Sequence, residues 1–182
     1  STNAEVNISL DNPSRESLIA DLREAASDVT DGEIKQIILR KRVVDGGPLI
    51  STSDFLSMLK SQAPGNLVRA FDPLFMFANV GKGETTDEIS IFIIIKLASF
   101  ENAFAGMLAW EKNLAQDLGP LFSTSTFLRD LPTEIVFTDI TDRNKDVRVL
   151  MLNGRPVLLY SFFDNKMLII TDHIETLRTL VD

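Results

Sequence analysis

Two stretches of this chain run through the same order of physical patterns, and that echo constrains the fold more than any single motif. Residues 75–108 read as an apolar strand, a polar turn, a second apolar strand and a capped amphipathic helix; residues 157–181 read the same way. Strands alternate their side chains with period two, whereas a helix repeats every ~3.6 residues, so each change of period marks a hairpin-to-helix junction. Aligning the two expected helix caps, Ser99 and Asp172, sets Phe104 on Leu177, Met107 on Leu180 and Leu108 on Val181. All are apolar on both sides, at i, i+3 and i+4. The loops match less well. Either a β-hairpin–helix unit is duplicated, or two hairpins that each close with a helix have converged on one pattern, as α+β folds allow.

The remaining elements fit the same class. Residues 1–12 are polar and read as a flexible leading segment. Asn12-Pro13-Ser14 opens a helix whose apolar stripe is Leu18, Ile19, Leu22, Ala25 and Ala26, and Thr30-Asp31-Gly32 ends it. Ile34–Val44 reads as a strand with Lys35, Arg40, Lys41 and Arg42 toward the surface. Ser51 and Asp54 have capping-box spacing ahead of a short helix that buries Phe55, Met58 and Leu59, and residues 66–71 form a further helical turn. The long helix starts after Ser99 and is expected to stop at Gly119-Pro120. Beyond a Ser/Thr-rich connector, strands are expected over 135–140, 147–152, 157–163 and 167–171, with Asn153-Gly154 as the strongest hairpin signal. Pro156 marks an edge or the start of a strand, because it donates no ladder hydrogen bond. Asp172 and Glu175 then resemble a capping box for the last helix. The expectation is α+β: a mostly antiparallel sheet of six or seven strands with packed helices, one domain over 13–182, its halves about 34–120 and 133–182.

Composition removes several kinds of chemistry. The chain has no cysteine, which excludes disulfides, thiolate metal sites and a Cys nucleophile, and its one histidine, His173, excludes a His-rich metal centre. A net charge of −8 repels phosphate backbones and anionic headgroups, so nucleic acid is not an expected partner. Twelve Phe against one Tyr and one Trp point to aromatics used for packing. No run approaches the ~20 apolar residues of a membrane span. The opening Ser1-Thr2-Asn3-Ala4 lacks Met and reads as a processed or excised start, compatible with a removed upstream signal or anchor.

Four constellations merit weighing. Asp142, Asn144 and Asp146, with Asp139 nearby, alternate oxygen ligands as a calcium loop opens, but Val147 and Asn153 stand where such loops place Gly and Glu. The competing reading is a hairpin turn whose Asp and Asn side chains bond their own backbone. Trp110 and Glu111 lie at opposite margins of the long helix's apolar face, as core and rim or as a partner-binding patch anchored by Trp110. Glu111 and Asp117, six residues apart, fall on different helix faces and make no acid pair. His173 follows the expected cap of the last helix with no serine or carboxylate tied to it by motif, and reads as an exposed first-turn side chain. Gly81-Lys82-Gly83-Glu84 joins two strands and lacks the later Gly-Lys-Ser/Thr of a phosphate loop, so it reads as a hairpin connection. No nucleophile elbow, zinc helix, Walker or dinucleotide fingerprint occurs.

The run Ser99-Phe-Glu-Asn-Ala-Phe-Ala-Gly-Met-Leu-Ala-Trp-Glu-Lys112, then residues 117–122, 144–150 and 158–172, resembles an uncharacterised bacterial family of membrane-anchored, extracytoplasmic domains with no assigned activity. The resemblance covers most of 34–182. It implies an N-terminal anchor absent from this chain and a location outside the cytoplasm, and it brings no catalytic residue and no cofactor. The functional expectation is a non-catalytic binding or assembly module that engages another protein. The alternative is a carboxylate-dependent hydrolase of cell-envelope glycans or peptides, which two convergent carboxylates in a deep pocket would favour.

Overall fold

A computed structural model describes residues 2–9, 14–27, 29–44, 46–81, 89–122 and 126–182. Its frame is one eight-stranded sheet in the order β1-β2-β3-β4-β8-β7-β6-β5. The strands are β1 (Thr2–Ile8), β2 (Ile34–Lys41), β3 (Phe71–Gly81), β4 (Ile89–Leu97), β5 (Phe137–Asp142), β6 (Lys145–Leu152), β7 (Arg155–Phe163) and β8 (Met167–Thr171). β1 runs parallel to β2, and every other neighbouring pair is antiparallel. The helices are α1 (Arg15–Ala26), α2 (Thr52–Met58), α3 (Gly65–Ala70), α4 (Phe100–Phe122), α5 (Thr126–Arg129) and α6 (Ile174–Val181). The α+β class holds, with one strand more than expected.

The extra strand is β1, which occupies residues read from composition as a flexible segment. Its polarity concealed a period of two: Asn3, Glu5 and Asn7 are exposed, Ala4 and Val6 pack against the core, and Ile8 is buried. Short polar strands of this kind suit a sheet edge. Pro156 is the second residue of β7, an interior strand, and the ladder shifts register opposite it between Leu150 and Met151. The strand-start reading of that proline therefore stands, and the edge reading does not.

The central strands bury both faces, which explains their unbroken apolar runs. Ile91, Ile93 and Ile95 of β4, Leu168 and Ile170 of β8, and Leu158 and Tyr160 of β7 join the large core. It is completed by Leu18 and Leu22 of α1, Phe55 and Leu56 of α2, Leu67 of α3, and Met107, Trp110 and Leu114 of α4. Leu159, Ile169 and Ile94 point the other way, into a small core closed by Leu177 and Leu180 of α6.

That division bears on the echo. The order β3-β4-β8-β7 sets the two hairpins side by side with β4 antiparallel to β8, so the axis relating them would stand normal to the sheet. Such an axis keeps both closing helices on one face, yet α4 packs on the large core and α6 on the small one. Matched positions also differ in burial: Phe104 is 45% exposed and Leu177 is 1% exposed. The likeness stops at the hairpins.

Three helices start on a serine cap, while the start of α6 and the end of α4 depart from expectation. Ser14 accepts from Ser17 N–H, Ser51 from Asp54 N–H at 3.1 Å, and Ser99 from Asn102 N–H at 3.4 Å. α6 departs from expectation, because His173 holds the cap position while the Asp172 carboxylate turns inward. α4 also fails to stop at Gly119-Pro120 and runs on to Phe122 with Pro120 inside it. Proline removes the N–H that would bond the carbonyl four residues earlier, here Gln116. The Arg15 guanidinium of α1 supplies the missing donor, reaching Gln116 O at 2.9 Å and Asp117 O at 3.1 Å, and it also donates to Leu59 O at the end of α2. Hydrogen bonds from a charged donor contribute ~1.5–3 kcal/mol, so Arg15→Ala is expected to lose about that much in urea unfolding. The loss should shrink in a Pro120→Ala background, where the helix regains its own donor. Equal losses in both backgrounds would show that the guanidinium does not substitute for the missing N–H.

Candidate functional site

The polar centre of the molecule forms where α4 crosses β5–β7. Glu111 is 8% exposed, and its carboxylate accepts two hydrogen bonds from Arg148 of β6, Nη2 to Oε1 at 2.6 Å and Nε to Oε2 at 2.8 Å. The Tyr160 hydroxyl of β7 donates to Oε2 at 2.5 Å. Arg148 reaches outward as well, to Asp139 of β5 at 3.0 Å. Arg148 faces Tyr160 in the ladder on one side and Asp139 on the other, so one row across three strands presents all of these groups to α4. Burial, followed by the Glu111 carboxylate, holds the Tyr160 phenol far above its ordinary range, and the bond to Glu111 raises Arg148 as well. Tyr160 therefore stays a donor and Arg148 stays charged.

Immediately beyond that row the sheet opens. The β6–β7 ladder ends at Arg148↔Tyr160, leaving Lys145–Val147 and Ser161–Phe163 unpaired with each other in the ladder. The Ser161 hydroxyl bridges the gap, donating to Asp146 O at 2.7 Å. The resulting slot encloses about 590 Å³ between the first turns of α4 and the tips of the two hairpins. Its wall is aromatic: Phe162 lies 5.3 Å from Phe100, edge to face, and 5.9 Å from Phe104. Phe162 also meets Tyr160 at 6.2 Å, so the ring contacts run on to the phenol that bonds the buried Glu111 carboxylate. Asp139, Asp146 and Asp164 stand at its margins. A smaller cleft of about 280 Å³ opens where β2 leaves β3, and its lining includes Ile38, Leu49, Leu74 and Phe75.

The residues singled out from sequence are dispersed. Trp110 is fully buried and donates its indole N–H to Asp117 at 2.7 Å, so it offers no surface to a partner. Glu111 is inside rather than at a rim. Asp142 and Asp146 leave opposite faces of one hairpin: Asp142 accepts from Arg178 of α6 at 2.6 and 3.0 Å, while Asp146 borders the slot beneath α4. The Arg178 bonds hold the Asp142 carboxyl below its usual range. Asn144 is a left-handed turn residue with φ 67°. These three do not converge on a cation, and no group of three or more His, Cys, Asp or Glu among the described residues does. Of the Gly81–Glu84 motif, Gly81 ends β3 and the rest lies outside the described residues.

A serine, a carboxylate and a histidine do meet beneath α6, in an order that defeats nucleophilic catalysis. The Asp172 carboxylate sits between the others, accepting from Ser90 Oγ at 2.7 Å and lying 2.8 Å from His173 Nδ1. Thr176 Oγ1 donates to Ser90 Oγ at 2.6 Å, and both Ser90 and Thr176 are buried. A base must contact the nucleophile itself, and here the acid stands between Ser90 and His173.

Phe100, Phe104, Phe162 and Arg148 were not among the candidate site residues. For the three phenylalanines helical or strand period and the excess of Phe over Tyr and Trp point to the core, and Arg148 carries no local signal of a site. Comparison with family models, with curated proteins and with solved structures gave no match. No helix among the described residues is long and apolar enough to cross a membrane.

Proposed function

We propose that the chain is a non-catalytic binding module that takes up a partner protein in the slot beneath α4. The observation that carries this is the half-open aromatic wall: Phe104 is 45% exposed while it packs against two other rings. Exposed rings grouped at the mouth of a preformed cleft are how interfaces concentrate contact area. The hydrolase alternative draws no support from the carboxylates that do converge, since Glu111 and Asp139 both bond the one Arg148 guanidinium. That the module belongs to a membrane-anchored protein extends the proposal, supported by the resemblance of residues 99–112, 117–122, 144–150 and 158–172 alone.

A photo-crosslinking amino acid placed at position 104 in cells of the native host tests the reading. It should yield a discrete adduct that the same probe at exposed Met151, on the β6–β7 turn side, does not give. Absence of any adduct above that control would overturn it.

A further inference from the structure

We propose that the slot recognises a short extended segment bearing a Lys or Arg beside apolar side chains, with the cation lodged against Phe104 and Phe162. This rests on the reading of the slot as a polypeptide site and adds the chemistry of its occupant. Phenylalanine offers ring faces and contact area but no hydrogen bond, so the wall selects for apolar groups and for cations held over a ring. The margins select for charge. Asp146 and Asp164 have no ion-pair partner among the described residues, and the Asp139 side chain is 79% exposed. The slot's own cations are engaged elsewhere, Arg148 by Glu111 and Asp139, and Lys145 toward Asp182 at 3.9 Å. An occupant of positive charge meets unpaired carboxylates here, within a molecule of net charge −8.

The apolar strip also sets a length. Phe100 and Phe104 line the slot at four-residue spacing, and Leu108, 40% exposed, continues the strip one turn beyond the slot's lining. Eight residues of helix rise ~12 Å, the reach of three or four extended residues. That span exceeds a lone amine and fits a peptide.

The test uses the whole chain, isotope-labelled, with two blocked hexapeptides, Gly-Lys-Leu-Lys-Leu-Gly and its Glu-for-Lys counterpart, at low salt. The lysine peptide should shift the amides of Phe104, Leu108, Asp146 and Phe162, and bind about tenfold more tightly than the glutamate peptide. Asp146→Lys should weaken the lysine peptide by about tenfold, and Phe104→Ser should weaken it as well; both positions are exposed, so the variants keep the parent's spectral dispersion. Equal binding of the two peptides would overturn the charge selection while the crosslink at position 104 still decides the broader reading. Shifts in neither titration, or shifts at Ile38 and Leu74 instead, would overturn the assignment of this occupant to the slot.

Discussion

Replacing Glu111 with Ala is expected to destabilise the protein by about 3–5 kcal/mol, the cost of breaking a buried pair from one side. At 8% exposure Glu111 accepts from three donors, two on Arg148 and one on Tyr160. Its removal leaves a guanidinium only 22% exposed without its main counter-charge and a buried phenol without an acceptor. For a domain of this size each kcal/mol moves the midpoint by ~2–4 °C, so melting should fall by roughly 10 °C. Glu111→Leu combined with Arg148→Met and Tyr160→Phe should recover most of the loss, because apolar residues of similar volume often replace a buried ion pair without penalty. Asp139→Asn should cost well under ~1 kcal/mol, since that carboxylate is largely exposed and solvent screens it. A single Glu111→Ala variant as stable as the parent would show that the cluster does not anchor α4 to the sheet. The result also bears on the slot, because Phe100 and Phe104 are carried on the same helix.

How far this was legible in the sequence depends on the reach of each signal. Period and turn chemistry act within a few residues, and they recover seven of the eight strands and the caps at Ser51 and Ser99. β1 escaped because composition outweighed the alternation of Ala4, Val6 and Ile8. The end of α4 was misplaced because a local stop signal, Gly119-Pro120, is overridden by an arginine about a hundred residues earlier. The sequence shows Glu111 at the margin of an apolar helix face but not its burial, since only β6 and β7 bring the donors that make burying it tolerable. The slot depends on where two strands cease to pair, between Val147 and Ser161. No local pattern encodes that divergence, so three phenylalanines that look like core lie half outside it.

The second large effect is expected at Asp117, which shares α4 with Glu111 but faces away from it. At 5% exposure its Oδ2 accepts from the Trp110 indole and from Gln62 N–H, each at 2.7 Å. This carboxylate ties the connection between α2 and α3 to the long helix and satisfies the most deeply buried ring in the core. Asp117→Ala should leave the buried Trp110 indole N–H unpaired at ~1–3 kcal/mol and strip the part-buried Gln62 N–H of its acceptor, for a loss of about 2–4 kcal/mol. Asp117→Asn retains an acceptor oxygen and should lose about half as much. Trp110→Phe removes donor and indole together while Gln62 keeps its partner, so the deficit there is one of volume rather than of unpaired polarity. Trp110 is the only tryptophan, so fluorescence-monitored urea unfolding reads the Asp117 series directly. If Ala and Asn at position 117 prove equally mild, below about 1 kcal/mol, the two donors must find other acceptors, and Asp117 would not be what holds that connection to α4.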